Sequence, residues 1–126
     1  MLRKLLFTML LLSVGLPLMA AEYVGTMQMA GGFTLKEVHV TLDAQGNLTM
    51  HNVKFALLMP VRVDVLIPKV KRKNDRLTCE IATPYVDDKP QPKRVVTNLH
   101  GTITPQVLSF SCQFGGKQMH YQGKAK

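Results

Sequence analysis

Residues 108–126 read LSFSCQFGGKQMHYQGKAK. In the first half Leu108, Phe110, Cys112 and Phe114 share one parity, and Ser109, Ser111 and Gln113 take the other. Beyond Gly115-Gly116, Met119 and Tyr121 alternate with Gln118, His120 and Gln122. A period of two marks a strand with one face hidden from water. A Gly-Gly link between two such runs predicts a hairpin, because a type I′ turn needs positive φ at both central residues. Closing that turn sets Phe114 opposite Lys117, Cys112 opposite Met119 and Phe110 opposite Tyr121. Both apolar rows then fall on one face.

The same pattern recurs upstream. Residues 23–30 (YVGTMQMA) make a first strand, stopped by Gly31-Gly32, and Thr34–Leu42 a second, with Val38, Val40 and Leu42 on its apolar side. Asp43-Ala44-Gln45-Gly46 fits a type I turn into a strand over 47–55. Val61–Ile67 follows Pro60, and Lys73-Asn74-Asp75 turns into Arg76–Thr83, whose row is Leu77, Cys79 and Ile81. A polar connection with prolines at 84, 90 and 92 leads to Lys93–Thr104 and then the terminal hairpin. Eight one-sided antiparallel strands with short links predict an all-β fold, either a sandwich or an up-and-down barrel. The barrel is favoured, because pairing the eighth strand with the first removes two exposed sheet edges.

Residues 1–20 stand apart from this pattern. Arg3 and Lys4 precede an apolar run that begins at Leu5, and the small residues Ala20 and Ala21 follow it. This is the layout of a secretory signal peptide, and it is too short to span a bilayer comfortably. The expected mature domain is 21–126, with a formal charge of +6 once Arg3 and Lys4 are removed. Export to the periplasm or beyond is therefore expected, and a basic exported domain suits anionic surroundings such as an envelope surface. Nucleic acid is not an expected partner, since the aromatic residues are not interleaved with the basic ones. A monomer is expected.

The stretches Tyr23-Val24-Gly25-Thr26, Val38-His39-Val40-Thr41-Leu42 and Gln45-Gly46-Asn47-Leu48-Thr49 resemble the calycin-like domain of exported Bacteroidetes proteins. So do Val63 to Val70, His100-Gly101-Thr102-Ile103 and Met119 to Lys124. The resemblance implies a small eight-stranded, lipocalin-like barrel and, by analogy, binding of a small apolar or lipid-like molecule. The chain departs from lipocalins proper in having no Trp, and therefore no Gly-x-Trp motif in its first strand.

The residues themselves offer no catalytic constellation. There is no phosphate-binding glycine loop and no nucleophile elbow. Ser109 and Ser111 lie on the water side of their strand with no evident base beside them. The expectation is a non-enzyme without a cofactor. His39, His51, His100 and His120 sit in strands facing outward, with no two-residue spacing and no completing acid, so no metal site is expected. Cys79 and Cys112 both fall on apolar parities. In a simple meander their strands are separated by another, about 9.5 Å backbone to backbone, whereas a disulfide wants Cα atoms within about 7 Å. Two buried thiols are favoured, and a Cys79–Cys112 bond stays open if a bend brings the strands together.

Two features address binding. An eight-stranded barrel is borderline between packed and hollow. A guest in its interior would touch Val40, Met50, Val63, Val65, Leu77, Phe110, Met119 and Tyr121, with Met50, Met59 and Met119 able to adapt. Separately, Lys69, Lys71, Arg72, Lys73 and Arg76 crowd one hairpin end, while Lys89, Lys93 and Arg94 flank the proline-rich connection. If both open on one rim they form a positive collar for anions; otherwise they are solvated hairpin tips. The leading expectation is binding of a small apolar or amphipathic molecule inside the barrel. The alternative is an envelope interaction module working through its basic loops.

Overall fold

The alternating pattern is realised as one antiparallel sheet of eleven strands, curled on itself, in a computed structural model that describes residues 21–55 and 60–126. The segment read as a signal peptide and Met59 lie outside the described residues. The strands are β1 (Ala21–Met29), β2 (Thr34–Leu42), β3 (Leu48–Val53), β4 (Val63–Ile67), β5 (Lys71–Lys73), β6 (Arg76–Ala82), β7 (Tyr85–Val86), β8 (Lys89–Pro90), β9 (Val96–Ile103), β10 (Val107–Phe114) and β11 (Lys117–Ala125). Each of the eight expected strands has a counterpart, and the short β5, β7 and β8 are additions. Their order in the sheet is β5-β6-β9-β10-β11-β1-β2-β3-β4-β7-β8.

The terminal hairpin has the expected register, with Phe110 opposite Tyr121, Cys112 opposite Met119 and Phe114 opposite Lys117. Gly115 and Gly116 take φ of +59° and +83°, the left-handed values that this turn demands. The last strand also pairs with the first: Met27 faces Tyr121, Gly25 faces Gly123, and Met29 faces Met119. Among the described residues the break in the ladder lies on the opposite side of the curl. No ladder joins β4 to β6; β4 is edged by β7 and β6 by β5. The chain itself crosses that gap, running from β4 through Pro68-Lys69-Val70 straight into β5. Pro68 has no N–H to donate to a ladder. Lys69 turns to φ +65°, and Val70 donates its N–H to Gly46 O at 2.9 Å rather than to a strand.

Apolar rows from all the long strands meet on the concave face, where Met27, Val40, Leu48, Met50, Val65, Leu77, Leu108, Met119 and Tyr121 are fully buried. At the centre Tyr121 stacks on Phe110 at 5.4 Å between ring centroids, and its hydroxyl donates to Val38 O at 3.0 Å. That bond links β11 to β2, passing under β1. The path is open because Gly25 and Gly123 are paired there. A Cβ on Gly123 would run into the Tyr121 ring, and one on Gly25 into the Gln122 and Gly123 backbone.

The alternation is interrupted where an extra residue is inserted. Glu37 in β2, Asn52 in β3 and Asn98 in β9 have φ of +57°, +56° and +53°, each beside a register shift. Such bulges bend a strand and shift its apolar parity by one. One of them corrects the sequence reading of β6. Ile81 was expected in the core row with Leu77 and Cys79, yet it is 64% exposed, and Ala82 is buried in its place. β6 pairs with β9 without a register shift of its own, so it must follow the bulge at Asn98. Ile81 then lies opposite Thr97 on the outside, and Ala82 opposite Val96 on the inside.

The β2–β3 turn is held by Asp43. Its carboxylate accepts the N–H groups of Gln45 and Asn47, both at 2.9 Å, and the Asn47 side-chain amide at 3.0 Å. Burial pushes this carboxyl up, but the bonds from the Asn47 backbone, Asn47 side chain, Gln45 and Gly46 outweigh it and leave the group below the usual carboxylate range. A carboxyl lowered by folding contributes stability above its unfolded pKa of about 3.9. That contribution is lost as pH falls through the folded value. Asp43→Asn should therefore be less stable than the parent at neutral pH, and the difference should shrink through the acid limb of a urea-unfolding pH series; a difference independent of pH would contradict it. Tyr121→Phe, which keeps the stack and removes only the hydroxyl, should lower unfolding free energy by about 1–2 kcal/mol. An unchanged urea midpoint would mean that the bond to Val38 carries no weight.

Candidate functional site

The three bulges follow the Tyr121–Val38 contact toward the end of the sheet that carries the β1–β2 and β10–β11 turns: Glu37 is next to Val38 on that side, Asn52 comes after His51, which faces His39, and Asn98 falls between the partners of Ser111 and Gln113. A cavity of about 680 Å³ opens at that end. Its apolar wall is Met29, Phe55, Val63, Val86 and Phe114, with the Phe55 and Phe114 rings stacked at 4.7 Å. Gln91, Lys93, Arg94, Gly115 and Lys117 complete the lining. The volume lies within the range of about 300–1,000 Å³ found for small-molecule sites. The wall is assembled from residues far apart in sequence: Met29 closes β1, Phe55 follows β3, Val63 opens β4, Val86 ends β7 and Phe114 ends β10.

The interior expected to hold a guest is mostly filled by the protein itself. Val40, Met50, Val65, Leu77, Met119 and Tyr121 are fully buried and Phe110 nearly so, packed in one cluster. Of the eight residues read as ligand-facing, only Val63 lines the end cavity. Met29, Phe55, Val86, Phe114 and Lys117 were not assigned to a site from sequence. The Gly-Gly turn marks Phe114 and Lys117 as neighbours at a sheet end. The bulges at that end leave no comparable sequence signal.

The basic residues fall into two groups rather than one collar. Lys93 and Arg94 line the cavity beside the β10–β11 turn, where Gly115 N–H donates to Val95 O at 3.0 Å. The β5–β6 hairpin, with Lys71, Arg72, Lys73 and Arg76 exposed, lies at the other end. There Arg76 faces Thr102, and Ile103 N–H donates to Asp75 O at 2.8 Å. Lys69 is exposed at the bend entering that hairpin. Six residue steps along β9, from Val96 to Thr102, separate the ends by roughly 20 Å. Among the described residues the one ion pair is Lys126–Glu22 at 3.5 Å, so neither group is neutralised by a salt bridge.

The outer face carries the histidines. His39 lies opposite His51, and His51 Nε2 contacts Thr41 Oγ1 at 3.0 Å. Ser111 does have a base beside it, contrary to the sequence reading: His120 Nδ1 is 2.7 Å from Ser111 Oγ across the β10–β11 pair. The residues opposite this pair are His100 on β9 and Gln28 on β1. No carboxylate orients the imidazole among these neighbours, and the pair stands on an outer sheet face outside the cavities. It reads as a cross-strand hydrogen bond. Among the described residues no group of three or more His, Cys, Asp or Glu side chains could hold a metal ion.

Cys79 and Cys112 are free and buried, on β6 and β10 with β9 between them. Burial pushes the Cys112 thiol up to about 12, with a further upward push from Cys79; burial also raises Cys79, whose Sγ lies 3.9 Å from Pro68 O. A thiol with a raised pKa is a poor nucleophile and is chemically quiet.

Comparison with protein-family models, with curated proteins and with solved structures finds no match for this chain.

Native protein should react with 5,5′-dithiobis(2-nitrobenzoate) at least about a hundredfold more slowly than unfolded protein, with Cys112 the slower of the two. In denaturant without reductant, two thiols per chain should titrate. Recovery of none would show that Cys79 and Cys112 had joined.

Proposed function

We propose that this chain is an exported, calycin-like barrel that binds a small apolar or amphipathic molecule without transforming it. The bound guest sits in the end cavity rather than at the centre of the barrel. The observation that carries this reading is the cavity of about 680 Å³ walled by Met29, Phe55, Val63, Val86 and Phe114, above a core that is otherwise filled. Apolar surface left in a concave site is where a guest gains most from leaving water, at roughly 25 cal/mol per Å² buried. The curl of the sheet supports closure into a barrel of eight staves: β1 is laddered to β11, and the β4–β5 bend carries the chain across the remaining seam. Basic composition and the segment 1–20 support export to an envelope compartment.

The neutral dye N-phenyl-1-naphthylamine should bind saturably, with a rise in fluorescence. Val86→Trp, which fills the cavity from a half-buried wall position, should abolish the saturable component while leaving the unfolding free energy within about 0.5 kcal/mol of the parent. Undiminished dye binding by a folded Val86→Trp protein would place the guest elsewhere, and a parent that binds no dye would remove the function.

A further inference from the structure

We propose that the guest of the end cavity is an anionic amphiphile, with its apolar body against Phe55 and Phe114 and a carboxylate or phosphate head held by Lys93, Arg94 and Lys117. This rests on reading the cavity as a binding site and names the class of molecule that it selects. The first support is segregation. Among the described residues the lining divides into five apolar side chains and a polar edge whose charged members are all cationic, with no carboxylate. The acids nearest in sequence to the wall residue Val86 are Asp87 and Asp88. Asp87 is bonded to Asp64 on the outer side of β4, through its N–H to Asp64 O and its Oδ1 to Asp64 N–H, both at 2.9 Å.

The second support is how the cations are brought together. Lys117 is the first residue of β11, while Lys93 and Arg94 precede β9, so nothing in the local sequence makes them neighbours. Backbone bonds do so. Arg94 N–H donates to Gln91 O at 3.0 Å, and Gly115 N–H donates to Val95 O at 3.0 Å, pinning the 91–95 segment to the β10–β11 turn. Arg94 lies over Gly115, whose missing Cβ would stand 3.7 Å from the arginine's Cα, Cβ and Cγ. Three like charges are thus held at the edge of an apolar hollow, and among the described residues none of them pairs with a carboxylate. Exposed cations in this position repel one another until an oxyanion arrives. The guanidinium fork can take two of its oxygens and the ammonium groups a third contact. The head would stay at the wet mouth, so its hydration is only partly lost and the attraction is not cancelled by desolvation.

Displacement of N-phenyl-1-naphthylamine tests this with four probes of matched or minimal tail: decanoate, decyl phosphate, 1-decanol and decyltrimethylammonium, with acetate and inorganic phosphate as tail-less controls. Either oxyanion-headed probe should displace dye at a concentration at least about tenfold lower than 1-decanol. Decyltrimethylammonium should be weaker than 1-decanol, and acetate and phosphate should have no effect. The relative potency of decanoate and decyl phosphate identifies the head. In the Lys93→Gln/Arg94→Gln/Lys117→Gln variant, whose changes are all on exposed side chains, the oxyanion advantage should vanish while 1-decanol is unaffected. The matching variant at the other end, Lys71→Gln/Arg72→Gln/Lys73→Gln, should behave as the parent. Equal displacement by decanoate, decyl phosphate and 1-decanol would overturn the head-group assignment and leave the cavity function standing. So would an equal loss in the variant at the other end. Displacement by acetate or phosphate alone would show an anion site without a tail pocket and overturn it too. Absence of dye binding in the parent would sink the cavity reading and this inference together.

Discussion

The Tyr121 hydroxyl reaches across β1 to the carbonyl of Val38, and the curl of the whole sheet is organised around that reach. For the ring to lie flat beneath a neighbouring strand, that strand must carry no side chain at the crossing. Gly25 and Gly123 stand opposite one another there, and a Cβ on either would strike the backbone or the phenol itself. Two strand glycines weaken the sheet locally by roughly 0.5–1 kcal/mol each. The Phe110 stack contributes about 0.5–1.5 kcal/mol and the hydrogen bond about 1 kcal/mol in return. The larger return is geometric. With the phenol as a strut between β11 and β2, the first and last strands hold their inward bend, and the apolar rows of the other strands converge on a single interior.

A strut near the middle makes the two ends unequal. Below it the rows alternate cleanly and the space is filled by Val40, Leu48, Met50, Val65 and Leu77. From the level of Val38 toward the other end, β2, β3 and β9 each take in an extra residue, at Glu37, Asn52 and Asn98. Each insertion bends its strand, and the cavity lies at the same end of the sheet. Phe55 and Phe114 then pack on each other at the cavity wall instead of meeting across the core. The cavity and the bulges thus share one end of the sheet.

This explains what could be read from the chain without coordinates. Period-two rows and turn residues are local signals, so strands, hairpin register, the β1–β11 pairing and the buried rows were legible down to Phe110 opposite Tyr121. Bulges are set by how neighbouring strands accommodate one another. Neither Glu37 nor Asn52 announces one, and Ile81 was misplaced because its strand follows a bulge located on another strand, at Asn98. The same blindness hid the end cavity. Counting inward residues located the interior, but the parity slips decide which inward residues are core and which line a hollow. Of the interior set, Val63 alone is in both. The positive residues were visible as two runs, yet whether they share a rim depends on strand lengths and on the 84–95 excursion. These put Arg94 beside Gly115 and Arg76 beside Thr102.

That separation also decides how the excess positive charge acts. At physiological ionic strength the screening length is about 8 Å, well short of the roughly 20 Å between the two ends. The molecule therefore presents two independent positive surfaces instead of one diffuse field. The group around Lys71, Arg72 and Lys73 has its charged side chains exposed, where water competes with any partner, and Arg72 borders a smaller hollow of about 320 Å³ that the Asp43 carboxylate also lines. The group around Arg94 borders a low-dielectric hollow, where the same charges are less screened and an arriving anion gains more from each. The larger group of charges need not exert the greater pull. On the proposed function, the end cavity is where an anionic guest would gain most from the charge around it.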